Sequence, residues 1–191
     1  MEISGIMSIQ KPYLYAIQLK GNTTNEFESF LESWQDLEFI NAFFESNKGY
    51  FYQSYWLGKD VESFRESLID QLLDFEDELL NLLEDIERGE VINLDSFFIP
   101  LENDEYHRFS YQTSKAKNNE TPYCLRIYAI RLNENHYVVT GGAVKITPMM
   151  QGELGHPLTQ KELQKLKLTA EYLNDHFDGK SNPEPRYYHA K

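Results

Sequence analysis

A single cysteine, Cys124, excludes an intramolecular disulfide and argues against a cysteine-built metal site. No apolar run approaches the roughly 18–20 residues that cross a bilayer. The first residues, MEISGIMSIQKPY, lack a basic start followed by a long apolar stretch, so no signal peptide is expected and the cytoplasm is the expected compartment. The Asn-x-Thr triplets at Asn22 and Asn119 then read as chance. Also missing are a phosphate-binding G-x-x-x-x-G-K-[ST] loop, an H-E-x-x-H zinc helix and a G-x-S-x-G nucleophile turn. The five histidines are scattered without ligand spacing, so neither metal nor cofactor is expected. Basic residues are scarce in the first half. Residues 1–105 hold 6 Lys and Arg against 23 Asp and Glu, a net of −17, whereas residues 106–191 hold 12 against 8, a net of +4. A chain of net charge −13 makes a poor general nucleic-acid binder, because phosphate binding is largely electrostatic. The second half alone keeps the means to hold a phosphate chain locally.

What is present is the material of a packed core. The chain is 41% hydrophobic and 14% aromatic, too rich in Phe, Tyr and Leu for a disordered segment, and its 191 residues suffice for one good core. No internal repeat is visible. Residues 12–20, PYLYAIQLK, predict a strand of aromatic and branched residues. Helix signals begin near Thr23 or Thr24, and Phe27, Phe30, Leu31 and Trp34 make one apolar stripe. A second helix is expected over residues 37–47, with Leu37, Ile40, Phe43 and Phe44 inward, and residues 49–57 are aromatic enough to pack on the core.

The longest helix is expected over residues 60–88, with Asp60 as N-cap and Gly89 as stop. Val61, Phe64, Leu68, Leu72, Phe75, Leu79, Leu82 and Ile86 form its stripe, which Leu73, Leu80 and Leu83 are expected to widen. Asp70, Asp74, Asp77, Glu78, Glu84 and Asp85 read first as a solvated face. The sharper reading is an acidic surface that imitates nucleic acid or covers the basic half. Residues 93–101 form a connector, 106–112 a candidate strand, and 114–122 a polar loop. Thr159 is expected to cap a last helix with Glu162 at its third position, burying Leu163, Leu166, Ala170 and Leu173 and ending near His176 or Phe177.

Residues 124–147, CLRIYAIRLNENHYVVTGGAVKIT, are two strand-forming runs around an Asn-rich turn. Cys124 heads the first run and reads as a small buried hydrophobe. Alternation puts Cys124, Arg126, Tyr128, Ile130 and Leu132 on one face, and Leu125, Ile127, Ala129 and Arg131 on the other. Both faces are largely apolar, so this strand should be central. Arg126 then needs a carboxylate partner or an open groove. A two-residue turn, Glu134-Asn135, sets Cys124 opposite Lys145 and puts Lys145 on the face of Arg126 and Tyr128. A three-residue turn moves Lys145 to the other face, and a bulge at Gly141-Gly142 reverses the far end again. The glycine pair itself reads as a bend, as room for a close-packed helix, or as a point where a ligand backbone approaches.

The segments LRIYAIR and VVTGGAVKIT, followed by a proline and a Lys/Glu-rich helix, resemble the core of the RelE/HigB superfamily of toxin ribonucleases. The likeness covers about residues 105–175. It implies metal-free cleavage of mRNA, often on the ribosome, by in-line attack of the 2′-hydroxyl, with an antitoxin protein as partner. It also implies that Arg126 and Lys145 stabilise the phosphate, that Tyr128 shuttles a proton, and that Lys115 and Lys117 hold flanking phosphates. The chain differs from that family in its acidity and length, in carrying Lys145-Ile146 where many relatives have two adjacent lysines, and in its larger helical part. The alternative is a non-enzymatic acidic protein that binds a basic partner.

The expected fold is α+β: one N-terminal strand and three C-terminal strands in an antiparallel sheet, with helices on one side, RelE-like with an enlarged acidic helical part at 23–90. Residues 1–178 should form a single domain, and 179–191 a loosely ordered tail.

Overall fold

The computed structural model describes residues 1–53, 60–90, 94–101, 111–116, 124–147, 150 and 155–176. Two strands come first, β1 (Ile3–Gln10) and β2 (Leu14–Leu19), followed by helices α1 (Glu26–Gln35), α2 (Leu37–Gln53) and α3 (Val61–Arg88). A single turn, α4 (Leu94–Phe97), runs into the short β3 (Phe98–Pro100). Strands β4 (Gln112–Ala116), β5 (Leu125–Asn133) and β6 (His136–Val144) follow, and α5 (Pro157–His176) comes last.

The architecture is α+β, as expected, but the sheet has six strands in the order β1-β2-β6-β5-β4-β3 and is mixed. Strands β3 to β6 run antiparallel as a meander that brings β6 alongside β2. There Leu14, Tyr15 and Ala16 pair in parallel with Tyr137, Val138 and Val139. The helical excursion between β2 and β3 carries the chain to the far edge, and the meander returns it. β1 escaped the sequence reading because it is an edge strand of half-exposed residues broken by Gly5, with only Ile6 buried. The candidate strand at 106–112 is displaced. Its described part is Tyr111 and Gln112, and the strand itself is Gln112–Ala116, so Ser114, Lys115 and Ala116 belong to the sheet rather than to a loop. Residues 54–57, 106–110 and 117, and the tail at 179–191, lie outside the described residues.

Helices cover both faces, not one. On one face Phe27, Phe30, Trp34, Phe43, Phe44, Phe64, Leu68, Leu72 and Phe75 pack on Leu125, Ile127, Ala129 and Val139. On the other, Leu163, Leu166, Ala170 and Leu173 of α5 pack on Ile17, Tyr128, Ile130 and Val138. β5 is therefore central and doubly covered, which is why its sequence is apolar on both sides.

Helix α3 begins and ends where its sequence says. The Asp60 side chain accepts from the Ser63 amide at 2.8 Å, and Gly89 closes the helix at φ 72°. Three apolar residues differ from expectation: Leu73 and Leu80 are 55% and 57% exposed, and Leu37, expected inward, is 53% exposed at the start of α2. Leu73 and Leu80 sit well round α3 from its core stripe, on the outer side and beyond the reach of the sheet. Elsewhere caps shift by one to three residues. Asn25 caps α1, accepting from the Phe27 and Glu28 amides at 3.0 Å each. His156, not Thr159, precedes α5: its ring Nδ1 accepts from the Leu158 amide at 3.2 Å, and Pro157 takes the first helical position.

Candidate functional site

The hairpin turn is the two-residue Glu134-Asn135, with Asn135 in the left-handed region at φ 57°. Two irregularities follow, and they cancel. Leu132 is extra in β5 and Thr140 is extra in β6, so Arg126 pairs with Ala143, and the Lys145 amide donates to the Cys124 carbonyl at 2.7 Å. The bulge falls at Thr140, one residue before the glycine pair. Its hydroxyl donates to the Tyr128 carbonyl at 3.3 Å.

Register and alternation place Arg126, Tyr128 and Lys145 on the α5 face, since Val144 and Ile146 belong to the opposite core. Lys115 of β4 lies directly opposite Tyr128 and shares that face. Three cations from β4, β5 and the end of β6 are thus gathered at one end of one side of the sheet, all half-buried. The Arg126 guanidinium donates to the Leu125 carbonyl at 2.7 Å and lies close enough to favour ionisation of the Tyr128 phenol. Burial outweighs that influence, and the nearby Glu162 opposes it, so the phenol is held far above its ordinary range. Tyr128 is 0% exposed, with its hydroxyl 3.8 Å from the Met150 sulfur. Lys117 is outside the described residues. Cys124 is buried as expected, but it leaves the face that alternation gave it. Just before β5, its amide donates to Gln71 Oε1 of α3 at 2.9 Å and its thiol lies 3.4 Å from the same oxygen.

The glycine pair admits one side chain from each face. A Cβ on Gly142 would collide with the Phe30 ring of α1 and stand 2.8 Å from the Arg126 carbonyl. On Gly141, at φ 143°, it would collide with Glu162 Oε2 and stand 2.7 Å from Lys165 Nζ of α5. Room for closely packed helices, on both sides at once, accounts for the pair.

Behind Gly141 lies a buried charge cluster that the sequence reading missed. Lys165 Nζ is 2.5 Å from Glu26 Oε2 and 2.7 Å from Glu162 Oε1, and all three residues are at most 6% exposed. Asn22 donates to the second Glu26 oxygen at 3.2 Å, whereas Glu162 Oε2 has no hydrogen-bond partner. The β2–β6 pairing runs to Ala16 and Val139, and beyond it Glu26 of α1 meets Lys165 of α5. Burial raises the Glu162 carboxyl to about 7, against the attraction of Lys165. Burial would lower Lys165, but the two carboxylates outweigh it and its pKa is raised. One ammonium cannot sustain two buried carboxylates, so Glu162 is the group that takes up a proton. The available signal was the α5 spacing. Glu162, Lys165 and Thr169 fall inside the same buried stripe as Leu166 and Leu173.

A second polar knot closes the opposite end of β5. Asp95 of α4 accepts from Arg131 Nε at 3.1 Å, from the Tyr137 hydroxyl at 2.7 Å and from the Asn135 amide at 3.1 Å. Burial alone would raise the Asp95 carboxyl; these donors and the Arg131 charge outweigh it and hold it below the usual range. This knot fastens the hairpin turn to α4 and uses up Arg131.

Among the described residues no three His, Cys, Asp or Glu side chains gather as a metal ion would need, and no helix is long and apolar enough to cross a membrane. No family model, no curated protein and no solved structure matches this chain.

Proposed function

We propose that this chain is a relative of the RelE/HigB ribonuclease toxins and acts on RNA at the sheet end that carries Lys115, Arg126 and Lys145. The observation that carries this reading is the register. The two-residue turn and the two cancelling bulges put Arg126 and Lys145 on one face, with Lys115 two strands away on the same side. The chain order, two strands, helices and then four strands, also closes into one sheet, with β2 beside β6.

In this reading Arg126 and Lys145 neutralise the phosphate as the 2′-hydroxyl attacks in line, and Lys115 holds a neighbouring phosphate. Tyr128 donates a proton only if Met150 moves aside; where it stands, it keeps its proton. The partners are mRNA, on or off the ribosome, and an antitoxin protein, and the compartment is the cytoplasm.

The test is cleavage of mRNA by the full chain, with and without ribosomes, and growth arrest on expression. Removing one cation that stabilises transition-state charge costs about 10²–10³ in rate, so Arg126→Ala and Lys145→Ala should each fall by that order. Wild type and double variant equally inert and equally harmless would end this reading.

A further inference from the structure

Among the described residues six large hydrophobics are more than a third exposed, and four of them lie on α2 and α3: Leu37 at 53%, Phe39 at 39%, Leu73 at 55% and Leu80 at 57%. Leu73 and Leu80 are seven residues apart, so they lie on one side of α3 two turns from each other. Glu76 falls between them and accepts from Gln35 Nε2 at 2.7 Å, which brings the α1–α2 joint against that same flank. Leu37 follows Gln35 by two residues, so the apolar strip of Leu73 and Leu80 runs along α3 beside the joint at which Leu37 stands.

The surroundings of this strip carry one sign of charge. Residues 61–88 hold ten acidic against two basic residues, a net of −8. Both bases are engaged by neighbouring acids: Arg65 with Glu62, and Arg88 with Glu84, Asp85 and Glu90. Asp70, Asp77 and Glu84 lie on the outer side of Leu73 and Leu80, and Asp36 and Glu38 flank Leu37; all five are exposed. A solvated helix face needs no leucines, and a face meant for a second copy of this chain would set acid against acid.

We propose that this strip is the docking surface for a partner protein that presents an amphipathic helix, with an aliphatic stripe bordered by Lys and Arg. The leucines supply the anchors and the acids supply the steering and the choice of partner. α3 packs on the face of the sheet opposite Lys115, Arg126 and Lys145, so the acidic helix does not cover the basic end. The proposal therefore stands or falls apart from the RNA reading.

The experiment uses the full chain and two synthetic helical peptides of equal charge. One carries a leucine stripe bordered by lysines; the other carries serine in place of leucine. Fluorescence anisotropy should show the leucine peptide binding at least 10-fold more tightly, with affinity falling as salt rises. Leu73→Ser/Leu80→Ser should erase the difference between the peptides, while circular dichroism shows the fold intact. Asp70→Asn/Asp77→Asn/Glu84→Gln should weaken the leucine peptide and flatten its salt dependence. Equal binding of the two peptides, or a leucine peptide indifferent to Leu73→Ser/Leu80→Ser, overturns the proposal. So does a wild-type dimer in light scattering that becomes a monomer in that variant, since the strip would then belong to a second copy.

Discussion

Glu162 is the residue whose surroundings depart furthest from what its place in the sequence suggests. Behind a Thr159 cap it would read as a first-turn capping partner; in the fold it lies in the second turn of α5 and faces Gly141 with one oxygen unpartnered and the other on Lys165. Its carboxyl is raised from an ordinary 4.5 to about 7. A carboxyl raised on folding contributes stability that is present below pH ~4.5 and lost as the pH climbs through ~7. His156 works the other way. Burial lowers its pKa, so its contribution is lost as the pH falls below 6.5. The two slopes overlap, and the Glu162 part is read as the difference between wild type and Glu162→Gln in urea melts from pH 5 to pH 8. The variant should gain on wild type by roughly 1–3 kcal/mol as the pH rises across that window. A constant difference would mean that Glu162 does not titrate there. Glycine follows the same logic at Gly141 and Gly142. The pair was visible in the sequence, but the neighbours that require it, Phe30 on one side and Glu162 with Lys165 on the other, come from distant helices.

Helix α3 was the most legible element, because its start, its stop and its stripe are all local. Asp60 and Gly89 act through hydrogen bonds within their own turn, and an apolar period near 3.6 needs no partner to be recognised. Its outer boundary was less legible. Leu68 is 0% exposed and Leu73 is 55% exposed, though both are leucines of one helix, and only the packing of the sheet and of α1 separates them. Leu68→Ala should cost about 2–5 kcal/mol in denaturant unfolding, and Leu73→Ala within about 0.5 kcal/mol of nothing. Equal costs would mean that the second leucine is covered in solution. The strands were harder. β1 and β3 are short or half-exposed edges whose residues satisfy no strict alternation, so the hydrogen bonds of their neighbours make them strands.

For the whole molecule, the two cores share β5 and β6. Leu125, Ile127 and Ala129 face α1 to α3, while Tyr128 and Ile130, alternating with them in the chain, face α5. Neither side can lose its strand without the other. Phe64→Ala on one face and Leu166→Ala on the other should therefore each lower the midpoint of one common unfolding transition, followed by Trp34 fluorescence and far-ultraviolet circular dichroism together. Two separate transitions would show that the faces fold independently. Several features of this protein were settled by the sequence itself: the α+β class, the acidic helix with its ends and the central apolar hairpin. Each rests on periods and turn chemistry that act within a few residues. The tertiary structure alone decided the two-residue length of the hairpin turn, the parallel pairing of β2 with β6, the covering of both faces, the burial of Glu26, Glu162 and Lys165 together, and the side on which Arg126 and Lys145 lie. Those depend on contacts between residues far apart in the chain, and on two bulges whose effects cancel, which no local pattern encodes.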